Sequence, residues 1–470
     1  MKLIMKFGGT SVADGEKILH VTNLIEKYAK ENKLVVVVSA LAGVTDKLFE
    51  ICKTASKGER EFIEDFIKEL REKHVEAAHK AISNFHVLEN VKLTINETIN
   101  ELKNVLFGIS YLREVTPRIL DYVVSFGERL STPIVWGALK SKDIQAEWFT
   151  GGNAGIVTDS NFGNANPLME LTTFQVKNKL QNLIEKNIIP VVTGFIAVDQ
   201  NGAITTLGRG GSDCTATILG YALDADEVWI WTDVDGVMTA DPKVEPKAKL
   251  IPQLSYNEAM EMAYFGAKMI HPKAVEIING KDIPIRVRNT FNPQNPGTLI
   301  VKEQKISSKS IVKSISLIRK AALITVSGAS MFGVPGTAAR VFRVLGDKNI
   351  NILMISQSSS EANISFIIPR EKLEDALSTL EIRLLGGGIV REVKSEDGIC
   401  VITLVGAGMV GTPGVAARVF GAVAREKINV RMIAQGSSEL SISFVVKEED
   451  GEKAVRALHK EFKLDELDEV

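Results

Sequence analysis

One segment of this chain is written twice. Gly328-Ala-Ser-Met-Phe-Gly-Val-Pro-Gly336 returns as Gly406-Ala-Gly-Met-Val-Gly-Thr-Pro-Gly414, and Ala338-Ala-Arg-Val-Phe342 returns as Ala416-Ala-Arg-Val-Phe420, each 78 residues later. Aligning Val326–Ile368 with Leu404–Val446 gives 22 identities in 43 positions. That is far above chance, so both copies must take one fold. Each copy reads strand, Gly/Pro turn, helix, strand, turn, strand, helix, which is a small α+β sandwich present twice. With 470 residues and roughly 150 per domain, the repeats leave room for one larger domain before them.

That domain has a different rhythm. Leu3 to Phe7 reads as a short apolar strand. A helix follows from Asp14, with apolar Ile18, Val21, Leu24, Ile25 and Tyr28 at helical spacing. Leu34 to Val38 is an uninterrupted apolar run, the pattern of a strand buried on both faces. The alternation resumes at Ile188–Thr193, Ala203–Leu207, Asp213–Leu223 and Glu227–Thr232. Strands alternating with helices predict an α/β fold with a mostly parallel central sheet. From about 57 to 120 the chain is charged and helical in period, through Phe62, Phe66 and Leu70. We read a helical insertion whose charges form a solvated face. The expected division is 1–300, with this insertion, then 310–395 and 396–470, with a linker near Asn292-Pro-Gln-Asn-Pro-Gly297.

Net charge is −2, from 56 basic and 58 acidic residues. There is no basic field to hold nucleic acid or anionic lipid, so neither partner is expected. Cys52, Cys214 and Cys400 are scattered and odd in number, which argues against a disulfide framework. The opening residues lack a signal-peptide core, and no apolar run approaches a membrane span. A reduced, cytoplasmic protein is expected. His74 and His79 are five apart and miss the spacing of a helical zinc site, and no Cys-x-x-Cys occurs.

Two glycine-rich turns carry the chemistry. Lys6-Phe-Gly-Gly-Thr-Ser11 ends the first strand, where Gly8 and Gly9 let the backbone approach an anion and Lys6 adds a charge. Read alone, it is equally a plain strand-to-helix turn, since it lacks the spaced glycines of a P-loop. Leu207-Gly-Arg-Gly-Gly-Ser-Asp213 is the second, with Ser212 or Asp213 expected to cap the next helix. Trp231-Thr-Asp-Val-Asp-Gly236 brings two carboxylates off a buried strand, for a ribose, a metal ion, or simply an Asp-Gly turn.

Together these segments resemble the aspartokinases of the amino-acid kinase superfamily. The resemblance also rests on Val38-Ser-Ala40 with Gly43-Val-Thr45, Ser125-Phe-Gly-Glu-Arg-Leu130 and Phe265-Gly-Ala-Lys-Met-Ile-His-Pro272, all in the family's order. The repeats look like its paired ACT domains, so it covers almost the whole chain. It implies a three-layer amino-acid kinase sandwich followed by two ACT domains. The implied reaction is ATP-dependent phosphorylation of the L-aspartate side-chain carboxylate, the first step towards lysine, threonine and methionine.

The same resemblance assigns residues. Lys6, Gly8, Gly9, Thr10 and Ser11 would lie along the ATP phosphates, joined by Lys268. Thr232, Asp233, Met238 and Lys243 would hold the nucleoside. Ser39, Thr45, Glu128, Arg209 and Ser212 would hold aspartate. Asp213 would organise the catalytic lysines and meet an Mg2+ that travels with ATP. Lysine or threonine is the implied effector, at Met331, Gly333, Val334, Pro335, Asn351, Gln357 and Ser359. A homodimer or dimer of dimers through the ACT domains is implied. The chain ends directly after the second repeat, so no fused homoserine dehydrogenase is expected. Three positions depart from the family pattern: Met238 stands for Tyr, Lys243 for Arg, and Asp46 for the common Asn.

The chemistry agrees with these roles. A carboxylate nucleophile has a solution pKa of about 3.9 and needs no general base at neutral pH. The task is to hold an anion against a polyanion, which calls for fixed cations and backbone N–H groups. Two rivals remain: a kinase of the same fold acting on glutamate, acetylglutamate, carbamate or a nucleoside monophosphate, and an amino-acid-binding regulator with an inactive kinase domain.

Overall fold

The computed structural model describes residues 1–264, 270–303, 311–328, 334–358, 363–386 and 390–466. The chain divides into two bodies. The first holds Met1–Val237, Pro252–Met260 and the described residues from 270 to 303. The second holds Met238–Ile251, a short stretch beginning at Glu261, and the described residues after 310.

The first body opens as its sequence predicts, with β1 (Lys2–Phe7), α1 (Gly15–Ala29), β2 (Lys33–Val38) and α2 (Val44–Ser56). Asp14 caps α1 by accepting from the Lys17 N–H at 2.9 Å. The insertion is α3 (Glu61–Ala81) and α4 (Phe85–Leu112), followed by α5 (Pro117–Val124) and α6 (Phe126–Lys140). Of the three residues that mark its period, Leu70 is buried and Phe66 packs half-buried against the core, while Phe62 turns outward. Ile63, Ile67, Leu70 and His74 are buried, while Phe62 is 51% exposed. Phe62 and Ile63 both fit the helical period, and β-branched Ile63 wins the core position.

Then come β3 (Ala146–Phe149), α7 (Gly151–Ala154), β4 (Val157–Thr158), α8 (Met169–Glu185), β5 (Ile189–Thr193), β6 (Ile196–Asp199), β7 (Ile204–Thr206), α9 (Gly211–Leu223) and β8 (Glu227–Thr232). The last are β9 (Gln253–Ser255), α10 (Tyr256–Tyr264), α11 (Pro272–Asn279), β10 (Ile285–Asn289) and β11 (Thr298–Val301).

Eight strands form the central sheet in the order β3-β5-β2-β1-β8-β10-β11-β9. Every pairing in it is parallel except β10 with β11. β1 runs between β2 and β8, with Phe7 level with Val38 and Trp231. From β1 the chain steps first to β2 on one side and only later adds β8 on the other, so the strand order reverses at β1. The carboxyl ends of such strands are where open α/β sheets leave a crevice for ligands. A three-stranded sheet, β4-β6-β7, lies beside it and feeds the second glycine turn.

In the second body the repeats build β12 (Ser314–Ser327), α12 (Thr337–Gly346), β13 (Met354–Gln357), β14 (Asn363–Pro369), α13 (Leu373–Leu380), and then β15 (Glu392–Val405), α14 (Val415–Arg425), β16 (Met432–Gln435), β17 (Ser441–Lys447) and α15 (Gly451–Glu461). The order of elements matches the repeat reading. The expected boundary at 395/396 does not, because it cuts β15. The first residues of β15 pair with the end of β12, and its second half pairs with β17, so the copies share one six-stranded antiparallel sheet. The segment Met238–Ile251 also joins this body. Ala240 and Val244 pack in the second repeat's core, and the Thr239 hydroxyl pairs with His459 Nε2 at 2.9 Å.

Candidate active site

The first glycine turn is fixed by the sheet. Gly8 N–H donates to Trp231 O at 3.2 Å, and Gly8 O accepts from Ser11 and Val12. A Cβ on Gly9 would come within 3.0 Å of Ala40 O, so this approach needs glycine. Ser11 is fully buried, and its hydroxyl pairs with Thr290 Oγ1 at 2.7 Å. Its side chain braces the turn rather than facing the cavity described below.

The second turn takes its shape from glycine too. Gly208 and Gly210 have φ of +76° and +67°, and a Cβ on Gly210 would lie 2.1 Å from His271 Cβ. The expected side-chain cap on α9 is not made: Gly210 itself is the N-cap. The chain is helical immediately after Gly210, so Ser212 and Asp213 already belong to the first turn. Their side chains are thereby released from capping.

Both turns open on one cavity of about 1070 Å3. Lys6, Gly9, Ser39, Thr45, Glu128, Arg209, Ser212 and Asp213 all line it; Gly8, Thr10 and Ser11 do not. Lys6 Nζ lies 2.7 Å from Asp213 Oδ1, with both side chains 12% exposed. Arg209 is exposed and has no ion pair among the described residues. Its guanidinium is available to a bound carboxylate.

Glu128, in the first turn of α6, is 3% exposed. Oε1 accepts from the Ala40 N–H at 3.1 Å, while Oε2 is buried without a partner. Burial pushes the carboxyl up to about 8. An oxygen of this kind is completed by a ligand that brings its own N–H donor.

Among the lining residues that sequence reading missed are Asp121 and Phe195. Asp121 in α5 is buried, and burial raises its carboxyl despite donors from Gly163 and Thr206. Phe195 holds φ of +67°, rare for a bulky residue. Its carbonyl accepts from Leu207 N–H at 3.0 Å, which steadies the second turn. The Gly194-Phe195 pair at a strand end was the only local signal for it.

The amino acid kinase family model matches residues 1–289, and the ACT domain model matches 324–384 and 402–462. Arabidopsis thaliana aspartokinase 2, chloroplastic, is 36% identical over 98% of this chain and 84% of its own length. This chain belongs to the aspartokinase family. Aspartokinase III of E. coli, in complex with aspartate and ADP, is 29% identical with a TM-score of 0.83, covering 98% of this chain and all of that one. The same enzyme with lysine and aspartate gives 30% and 0.82, covering 98% and 99%. The chain also matches bifunctional aspartokinase/homoserine dehydrogenases, such as Arabidopsis thaliana enzyme 1 at 34% over 98% of this chain. It spans about half of their length.

The other residues that the family resemblance assigns fall as follows. Thr232 ends β8, and its hydroxyl donates to Asp233 at 3.2 Å. Asp235 is held by the amides of Asn289 and Asn292 at 2.7 and 3.1 Å. Of that turn's two carboxylates, Asp233 is the more open. Met238 and Lys243 lie in the second body. Lys268, Met331, Gly333 and Ser359 lie outside the described residues. Val334, Pro335, Asn351 and Gln357 are exposed around α12 and β13.

Among the described residues no group of three or more His, Cys, Asp or Glu side chains gathers as a metal site. No helix among them is long and apolar enough to cross a membrane. All three thiols are pushed by burial to about 12, which removes thiolate chemistry at neutral pH.

Proposed function

We propose that this chain transfers the γ-phosphoryl group of ATP to the side-chain carboxylate of L-aspartate. The observation that carries the reading is the cavity in which Lys6, Arg209 and the unpartnered oxygen of Glu128 converge. An amino acid with a second carboxylate needs both signs of charge in its site. Arg209 forks onto the α-carboxylate, and Glu128 Oε2 accepts from the α-ammonium. Ser39, Thr45 and Ser212 supply neutral polar contacts on the same wall. The free carboxylate then faces the phosphate end of the cavity.

Lys6 and the Gly8-Gly9 backbone neutralise and position the phosphates, with Lys268 as second cation. Thr10 and Ser11 contribute backbone to that turn. Thr232 and Asp233, with Met238 and Lys243, hold the nucleoside. Asp213 orients Lys6 and gives Mg2+ one carboxylate. A single carboxylate suits an ion that keeps most of its ligands on phosphate and water. An Mg2+ held there would supply charge neutralisation to the phosphates. No proton need be removed from the nucleophile.

Residues 1–300 carry catalysis and 310–470 carry regulation. Lysine or threonine acts as effector through Val334, Pro335, Asn351 and Gln357, with Met331, Gly333 and Ser359 completing the set. The protein works in the cytoplasm as a homodimer or dimer of dimers. Coupled ADP release should depend on aspartate and Mg2+, and should stay at background with glutamate, acetylglutamate or carbamate. It should fall when lysine or threonine is added. Aspartate giving no more ADP than buffer would sink the activity, and a monomer by light scattering at micromolar concentration would sink the assembly.

A further inference from the structure

We propose that Asp121 is the positioning residue that sets the aim of Arg209 and so governs the affinity for the acceptor. The inference rests on the reading above, in which Arg209 holds the acceptor. Asp121 is 1% exposed and lines the same cavity. Among the described residues no Lys or Arg pairs with it, so its charge is met only by dipoles. Oδ2 accepts from the N–H groups of Gly163 and Thr206, both at 2.9 Å. Oδ1 accepts from the Thr206 hydroxyl at 2.8 Å.

Thr206 is the last residue of β7, and Arg209 follows three positions later. Its N–H and hydroxyl are both held by Asp121, while its carbonyl accepts from Ala165 N–H at 2.9 Å. Beyond it the backbone passes through Gly208 and Gly210, where φ is positive. Glycines there admit many conformations. The direction in which Arg209 leaves the sheet is therefore set by how firmly its root is held. Asp121 is the charged part of that root.

The clamp needs acceptors in a fixed place, not a negative charge. In Asp121→Asn the amide oxygen still takes both N–H groups, and the amide NH2 donates to a Thr206 hydroxyl that turns to accept. Asp121→Ala leaves two buried N–H groups and a hydroxyl without partners.

The experiment is steady-state kinetics of the full-length protein, varying acceptor and ATP separately, with thermal unfolding of each variant. Asp121→Ala should raise the KM for aspartate roughly tenfold or more, since small misplacements of a binding group cost that much. The KM for ATP should stay within about twofold, as a misaimed Arg209 touches only the acceptor. Asp121→Asn should restore the aspartate KM to within about threefold of wild type. If Asn is as damaging as Ala, the charge acts in chemistry and the positioning role is wrong. An unchanged aspartate KM in Asp121→Ala, or equal rises for both substrates, also overturns it. Should Asp121→Ala fail to fold, Thr206→Val removes one clamp bond, and an unchanged aspartate KM there refutes the proposal. Wild type is assayed first across acceptors. If it uses another acidic acceptor, the activity reading falls, and the clamp is tested on that acceptor by the same split.

Discussion

The two glycine turns are built of the same residue types and are stabilised in opposite ways. The first is stitched into the parallel sheet. Gly8 bonds to β8, Ser11 is buried against Thr290, and Gly9 sits against Ala40 O. Only Lys6 and Gly9 of that turn reach the cavity. The second turn leaves a short outer sheet and is shaped from outside, by Asp121 on Thr206, Phe195 on Leu207 and His271 against Gly210. Gly208 through Asp213 all line the cavity. A turn braced by sheet hydrogen bonds can be rigid with few exposed groups. A turn braced by neighbours can offer many side chains, but it depends on distant residues for its shape.

The largest test of that contrast is Lys6→Ala. Its ammonium is the first turn's one charged contribution, and in this reading it meets charge that develops during transfer. Turnover should fall by about two to three orders of magnitude, the usual cost of a missing electrostatic group. The unfolding temperature should fall as well, because Asp213 loses its partner at 2.7 Å in a mostly buried site, while effector binding should persist. Full activity would remove Lys6 from the phosphate site and leave the first turn purely structural.

The next test concerns the electrostatics both turns share. With no acceptor bound, Glu128 has a raised carboxyl, at about 8. An acceptor's ammonium requires the ionised form, so binding must expel a proton whenever the pH is below that value. Apparent aspartate affinity should therefore tighten as pH rises from 6 towards 8, by up to tenfold per pH unit. Stability of the unliganded protein runs the other way. The unfolded chain releases this proton above about 4.5 and the folded chain keeps it, so stability falls as pH rises towards 8. Calorimetric titration with aspartate at several pH values measures the first trend, and Glu128→Gln should flatten it. A flat wild-type profile would mean that the ammonium is held elsewhere.

How legible the molecule was follows the same division. The parallel sheet and the doubled module are written locally, in apolar runs and in repeated glycines and prolines, so they could be read directly. So could the residues at turns, whose type is demanded by backbone shape. Asp121 could not. It contacts Gly163 and Thr206, 42 and 85 residues away. A single acid in the middle of a short helix looks like any surface charge. The cap expected from Ser212 or Asp213 failed for a related reason, because the preceding glycine had already started the helix. In the insertion only Phe62 gives way, to Ile63, because both fit the helical period equally well. The sharing of β15 between the repeats is set by strand pairing, which a repeat alignment does not contain.

The smallest expected effect separates a residue's presence in a motif from its work. Ser11 belongs to the string that most marks the family, yet its hydroxyl is spent on Thr290 in a fully buried contact. Ser11→Ala should leave both Michaelis constants and turnover within about twofold, as its side chain does not line the cavity. It should lower stability by about 1–3 kcal/mol, the usual cost of leaving a buried hydroxyl, here that of Thr290, without its partner. Denaturant unfolding beside ATP kinetics reads both quantities. If the KM for ATP rose tenfold while stability held, the first turn would be using its side chains on phosphate as freely as the second uses its own on the acceptor, and the contrast between them would disappear.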